Sequence, residues 1–256
     1  MIEFEKITDG ILRLKVPFED IYTAVFLIIG EGGAILVDAA ACEYDAKEVI
    51  LPALEKCIAL SEIKYLVCTH LHGDHGGGIR HLLPYLENAK VAAISERAIT
   101  LYGEDKVQIL HDGDSLCGVS ALTLFGHSLD CVGLYDKRSD TLIMGDAVQL
   151  YGITKYGCGV GFPKEYRKTL EKIRGLGAKT LVASHEYYPL GAVACGEGVC
   201  EYLDTAAKAF DEVCEFVKSF SDSDAVKIAS AFTAERRKDE PCMPALQAYT
   251  VKALLS

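Results

Sequence analysis

The sequence predicts an α/β protein in which sheets are covered by helices on their outer faces, with a purely helical section at the C-terminal end. Three observations carry this reading. Short apolar runs such as Tyr65-Leu66-Val67-Cys68-Thr69 have the composition of strands buried on both faces. These runs alternate with helix-periodic segments as far as residue 185. From about residue 199 only helical patterns remain. With 256 residues, 50% hydrophobic and 25% charged, the chain is long and apolar enough to bury a full core.

In chain order, Ile11-Leu12-Arg13-Leu14-Lys15-Val16 ends in the alternation of a half-buried strand. Apolar runs over 22–29 and 34–37 flank Gly30-Glu31-Gly32-Gly33, a hairpin turn. Residues 43–59 place Ala46, Val49, Ile50, Ala53, Leu54 and Cys57 at helical spacing, with a break or kink expected at Pro52. A strand over 65–69 precedes a helix over about 77–86. Strand, helix and strand are expected over 90–94, 95–102 and 106–110, then strands over 119–125, 132–136 and 141–145. A helix over 163–175 and a buried strand over 180–184 complete the mixed part. Helices over roughly 199–220, 223–234 and 244–255 end the chain. No repeat or low-complexity linker interrupts the pattern, so residues 1–256 are expected to form one domain, of which about 199–256 is a helical extension.

Composition narrows the function classes. The net charge of −11 argues against nucleic acid as the main partner, because phosphate neutralisation needs a clustered basic surface. The longest greasy stretch, Ala24–Ile29, falls far short of the roughly 20 residues needed to cross a bilayer, so no membrane partner is expected. Met1-Ile2-Glu3-Phe4-Glu5-Lys6 lacks the basic-then-apolar layout of a signal peptide, and a cytoplasmic location is the simplest expectation. The ten cysteines are scattered without a Cys-x-x-Cys pair, as expected of reduced, mostly buried small residues.

The chemistry concentrates in Thr69-His70-Leu71-His72-Gly73-Asp74-His75-Gly76-Gly77-Gly78, directly after a buried strand. In extended chain, residues two apart point to one side, so His70 and His72 can converge. Gly73 lets the chain turn, and Asp74 and His75 follow from the turn. Imidazole and carboxylate in this density suit zinc and neighbouring divalent metals. Three lone ligand-type residues then follow strand ends: His127 after Leu122–Gly126, Asp146 after Leu142–Gly145, and His185 after Leu181–Ser184. Together these seven are enough for two metals about 3.5–4 Å apart. His81 and His111 are expected to be surface or structural residues.

His70-x-His72-x-Asp74-His75, with Gly126-His127-Ser128, Gly145-Asp146 and Ser184-His185, resembles the metallo-β-lactamase superfamily over about residues 20–188. The resemblance implies an αββα sandwich of two mixed sheets with a two-metal site at one edge. It implies that His70, His72 and His127 hold one ion, that Asp74, His75 and His185 hold the other, and that Asp146 bridges them. Asp38 sits where the family places an aspartate behind the metals. Phe125 stands where a proline often precedes the Gly-His pair. Within the superfamily, His185-Glu186-Tyr187 and Gly157-Cys158-Gly159 resemble stretches of hydroxyacylglutathione hydrolase (glyoxalase II). The lysine that binds the glutathione carboxylate there is Val160 here, and Arg236-Arg237-Lys238 resembles the other basic anchors at a different spacing. Cys158 fits equally a structural role beside the metals and a substrate contact.

The expected reaction is hydrolysis of a small thioester or lactone by a metal-bridging hydroxide, with Asp74 orienting the hydroxide and shuttling its proton. The expected cofactor is two divalent ions, zinc first, with iron or manganese accepted by the same donors. Tyr151, Tyr156, Tyr187 and Tyr188 stand in or beside segments that follow metal ligands and are candidate substrate-binding residues, or wall residues. The segment 147–162 is the candidate specificity loop. The alternative is a persulfide dioxygenase of the same superfamily with a single iron. The exact substrate and the oligomeric state stay open, and the C-terminal helices fit either a cover over the site or a dimer contact.

Overall fold

The computed structural model describes residues 2–153, 157–221, 223–236 and 244–256. It divides into two compact units: residues up to Thr123 with Asp130–Gly145, and Leu124–Leu129 with the chain from Asp146 onward.

The first unit contains β1 (Glu5–Thr8), β2 (Ile11–Phe18), β3 (Ile21–Gly30), β4 (Gly33–Val37), β5 (Ile63–Val67), β6 (Lys90–Ala93) and β7 (Val107–Ile109), which form one sheet in that order. Strands β1 to β4 are antiparallel and β4 to β7 parallel, so the sheet is mixed. Alternation sorts its side chains. Leu14, Val16, Val25, Leu27 and Leu36 pack in one cluster with Ala46, Ile50, Leu54, Ile79 and Leu82 of the helical segments. The opposite-facing Ala24, Phe26, Ile28, Ile35 and Val37 are equally buried. Burial on both faces is why β3 and β4 read as continuous apolar runs.

The helical segments of this unit are shorter than the periodicity predicts. Residues 43–59 form a π-helical turn, Asp45–Ile50, which passes into α1 (Leu51–Glu55) with Pro52 in its first turn. A proline there forfeits no bond that the first turn of an α-helix would make. Of the helix expected over 77–86, α3 (Ile79–Leu82) is what forms, and a separate short α2 (Gly73–Gly76) precedes it. The reason is close packing: a Cβ on Gly77 would lie 1.9 Å from the Ala41 carbonyl oxygen, and one on Gly78 would lie 2.0 Å from that of Ala39. The helix α4 (Arg97–Tyr102) lies between β6 and β7.

Four further strands, β8 (Ser115–Leu116), β9 (Val119–Thr123), β10 (Val132–Asp136) and β11 (Thr141–Ile143), pair antiparallel in sequence order. The β3–β4 turn meets the β8–β9 turn through the Glu31 N–H, which donates to the Cys117 carbonyl at 2.7 Å. The approach requires Gly30, because a Cβ there would lie 2.4 Å from that carbonyl oxygen.

Asp136 at the end of β10 is buried and accepts from the Arg138 backbone N–H at 3.0 Å and from Arg138 Nε and Nη2 at 2.9 and 3.0 Å. Burial alone pushes this carboxyl up, but the Arg138 bonds and charge bring it below the usual carboxylate range. A depressed acid stabilises the fold above its unfolded value near 3.9, and that contribution is lost as pH falls through the folded value. Arg138→Ala is expected to cost about 1–3 kcal/mol at pH 7, since it removes the two guanidinium donors from a buried carboxylate and leaves it the backbone N–H and the Ser139 hydroxyl. Urea unfolding at pH 7 and below pH 4 checks this, and the gap to the parent protein should shrink in acid.

The second unit contains α5 (Pro163–Leu176), β12 (Thr180–Val182), β13 (Val193–Cys195), α6 (Gly198–Ser219), α7 (Ala225–Arg236) and α8 (Pro244–Leu255). Proline at the first position of α5 and Gly177 in the left-handed region just past its end match its sequence limits. Strands β12 and β13 pair antiparallel. The long α6 packs its Phe210 edge-on against Tyr166 of α5, ring centroids 5.1 Å apart. Its far half joins Ile228, Ala229, Phe232 and Val251 in a separate small core.

All nine described cysteines are free thiols, and Cys242 lies outside the described residues. Fewer are buried than expected: Cys42, Cys57, Cys195 and Cys200 are exposed, at turns and element ends or on the outer face of α6. No helix among the described residues is long and apolar enough to cross a membrane.

Candidate metal centre

The first unit carries Asp38, His70, His72, Asp74 and His75. Asp38 follows β4 with a left-handed backbone, φ 61°, and its side chain is fully buried. Its carboxylate accepts from the Thr69 N–H at 2.7 Å, the Thr69 hydroxyl at 2.8 Å and His75 Nδ1 at 2.8 Å. Occupying Nδ1 fixes the His75 tautomer and leaves Nε2 as the atom that could ligate an ion, 3.4 Å from Asp74 Oδ2. His70 Nε2 and His72 Nδ1 approach to 3.0 Å, as two residues apart in extended chain allows. His70 and His75 are buried and His72 is exposed, so the ligands span from core to surface.

Backbone bonds hold this loop on both sides. The Ala39 N–H donates to the His75 carbonyl and the Gly78 N–H to the Ala40 carbonyl, at 2.8 and 3.1 Å. The Leu71 N–H donates to Asp130 Oδ2 at 2.9 Å. Beneath the loop, burial and then the Asp38 charge push the Cys68 thiol well above its ordinary range, so it stays a neutral packing residue. Thr23 of β3 reaches Asp74 Oδ2 at 3.5 Å.

The second unit carries His127, Asp146 and His185, all buried. His127 Nδ1 donates to the Gly159 carbonyl at 2.6 Å, which leaves Nε2 for a ligand, 4.0 Å from Asp146 Oδ2. His185 Nε2 lies 3.4 Å from the same oxygen. These imidazole–carboxylate separations exceed a hydrogen bond. The His185 separation matches the roughly 3.4 Å between two ligands that each sit about 2.1 Å from one tetrahedral ion, and the His127 separation is wider at 4.0 Å. In each unit, then, one imidazole whose Nδ1 is held by a buried acceptor turns Nε2 toward a carboxylate, a donor set that fits zinc and similar ions.

Two features of this unit escape sequence reasoning. Gln149 is fully buried, and its amide joins the Asp146, Gly159 and Tyr187 segments. A lone glutamine in a loop carries no motif that would single it out. The second is α8, which braces the stretch that receives His127. Thr250 Oγ1 donates to the Cys158 carbonyl and accepts from the Val160 N–H, and Gln247 Oε1 accepts from the Cys158 N–H. Cys158 itself is buried.

The tyrosine candidates separate. Tyr187 is fully buried, with its hydroxyl accepting from Gln149 at 3.1 Å. Tyr151 is half-buried and donates to Glu212 of α6 at 3.3 Å, while Tyr188 is exposed. Tyr156, Arg237 and Lys238 lie outside the described residues, and Arg236 is exposed beside Glu235. His111 is exposed and His81 lies within 4.0 Å of Glu43 at the surface.

Residues 19–185 match the family model described as Metallo-beta-lactamase superfamily. Among curated relatives, the chain is 26% identical to a Beta-lactamase-like protein 2 homolog of Caenorhabditis elegans, over 90% of this chain and 79% of that protein. It is 27% identical to a hydroxyacylglutathione hydrolase of Synechococcus sp., over 66% of each chain. Among solved structures, a metallo-beta-lactamase from Pontibacter korlensis superposes with a TM-score of 0.62 at 18% identity, over 81% of this chain and 99% of that one. That likeness shows the fold: two mixed sheets flanked by helices.

Proposed function

The chain belongs to the metallo-beta-lactamase superfamily, and we propose that it is a two-metal hydrolase of a small carbonyl ester, a thioester first and a lactone next. The observation that carries this is the preparation of ligand atoms: His75 and His127 each commit Nδ1 to a buried acceptor, and the Nε2 atoms face carboxylates. On this reading His70, His72 and His127 hold one ion, Asp74, His75 and His185 hold the other, and Asp146 is shared. The chain order of these residues supports the assignment, as does the likeness to a hydroxyacylglutathione hydrolase.

When bound, two divalent ions supply water made acidic near neutral pH and electrophilic help to the carbonyl oxygen. The protein's own groups do the rest. Asp74, half-buried and near Thr23, accepts the proton of the attacking water and returns it to the leaving sulfur or oxygen. Asp38 holds the Nδ1–H of His75, which fixes the ring and turns Nε2 toward the ligand side. No serine or cysteine nucleophile is required, and Cys158 is buried.

Elemental analysis of protein purified without oxygen or added metal tests the reading, together with a thioester and lactone panel. Close to two divalent ions per chain, with turnover abolished by a chelator and restored by Zn2+, is the expected result. One iron per chain with oxygen uptake on a persulfide would replace it with a dioxygenase, and no metal uptake would overturn it.

A further inference from the structure

We propose that Gln149 is a positioning residue that fixes the ligand geometry of His127, Asp146 and His185. The inference rests on the metal-centre reading above and deepens it. Three ligand-bearing or ligand-supporting segments of the second unit meet at this one side chain. Its Oε1 accepts from the Gly159 N–H at 3.0 Å, and the Gly159 carbonyl is the acceptor for His127 Nδ1 at 2.6 Å. Its Nε2 donates to the Asp146 carbonyl at 2.7 Å and to the Tyr187 hydroxyl, two residues beyond His185, at 3.1 Å.

A fully buried amide is costly unless its hydrogen-bonding groups are satisfied, and here both amide hydrogens and the oxygen are used. The orientation is fixed by its partners. Exchanging the amide oxygen and nitrogen would set oxygen against the Asp146 carbonyl and N–H against the Gly159 N–H, both repulsive. The backbone at Gln149 is anchored as well, since its N–H donates to the buried Tyr166 hydroxyl at 3.1 Å. Gln149 therefore acts on the ligands through their backbones, the Gly159 carbonyl and the 3.4 Å approach of its Nε2 to His127 Nδ1. Groups in this role typically change metal affinity by about 10- to 100-fold when removed.

The test compares Gln149→Met, which keeps volume and loses all three bonds, with Gln149→Glu, which keeps the shape and the acceptor for Gly159 but loses both donors. Tyr202→Phe is the control, because it deletes a hydrogen bond to the Gly191 carbonyl elsewhere in the same unit. Metal-free protein is titrated with Co2+ against a coloured chelator, and the visible absorption of the cobalt form reports ligand geometry. Both Gln149 variants are expected to bind Co2+ about 10- to 100-fold more weakly with an altered spectrum, whereas Tyr202→Phe matches the parent protein. Parent-like affinity and spectrum in both Gln149 variants, or an equal loss in Tyr202→Phe, would overturn the positioning role while leaving the metal centre intact. Failure of the parent protein to take up Co2+ would instead overturn the metal-centre reading itself.

Discussion

Asp38→Ala is expected to lower the unfolding free energy by about 3–5 kcal/mol and to weaken metal binding by about 10- to 100-fold. The first effect follows from what the carboxylate holds. Removing it takes the acceptor from the Thr69 N–H, the Thr69 hydroxyl and His75 Nδ1 in a fully buried place, where water does not replace a lost hydrogen bond. Backbone adds to this, because Asp38 sits at φ 61°, where aspartate and asparagine are tolerated better than alanine. The second effect follows from His75, whose ring loses both its tautomer lock and its orientation. Asp38→Asn separates the two. It keeps an acceptor and suits the backbone, so it should recover much of the stability while metal binding stays weakened. Urea unfolding of the metal-free protein and Co2+ competition measure the two separately. A parent-like unfolding midpoint for Asp38→Ala would remove the role assigned to this carboxylate.

Much of the site was legible in the sequence because its donors are rare residue types in a dense run. His70, His72, Asp74 and His75 stand within six positions after a buried strand, and no packing requirement asks for that composition. Asp38 was legible only through the family resemblance, since one aspartate after one strand has no spacing to mark it. Gln149 was not legible at all. Its importance lies in which three segments it touches, and contacts between distant positions leave no local periodicity.

The fold shows the same division. The buried strands β3, β4 and β5 and the helices α5 and α6 were readable from apolar runs, a proline at a helix start and a helical stripe. The short strands β8 and β13 were not, because two or three residues cannot display an alternation. The helix expected over 77–86 is shortened to α3 for a tertiary reason, namely that Gly77 and Gly78 pack against the Ala39–Ala41 backbone and the Gly78 N–H donates to the Ala40 carbonyl. The open question about the C-terminal helices receives a partial answer from two polar residues. Gln247 and Thr250 are buried on α8 and bond to Cys158 and Val160, so that helix braces the stretch carrying Gly159.

Asp74→Asn is expected to act on the reaction itself: turnover should fall by about 10²- to 10⁴-fold. Asp74 lies in α2 with a side chain 21% exposed, and its approaches to Thr23 and His75, at 3.5 and 3.4 Å, are long. Asparagine keeps an oxygen that can face a metal but cannot accept the proton of the attacking water. The loss should therefore appear in kcat more than in KM, because binding of the thioester or lactone does not use that proton. Steady-state kinetics on whichever ester is turned over, with metal content measured on the same samples, checks this. Full metal occupancy with parent-like kcat would show that Asp74 holds an ion without moving the proton. A loss of metal matching the loss of rate would make it a ligand first, and the proton acceptor would then have to be sought elsewhere in the site.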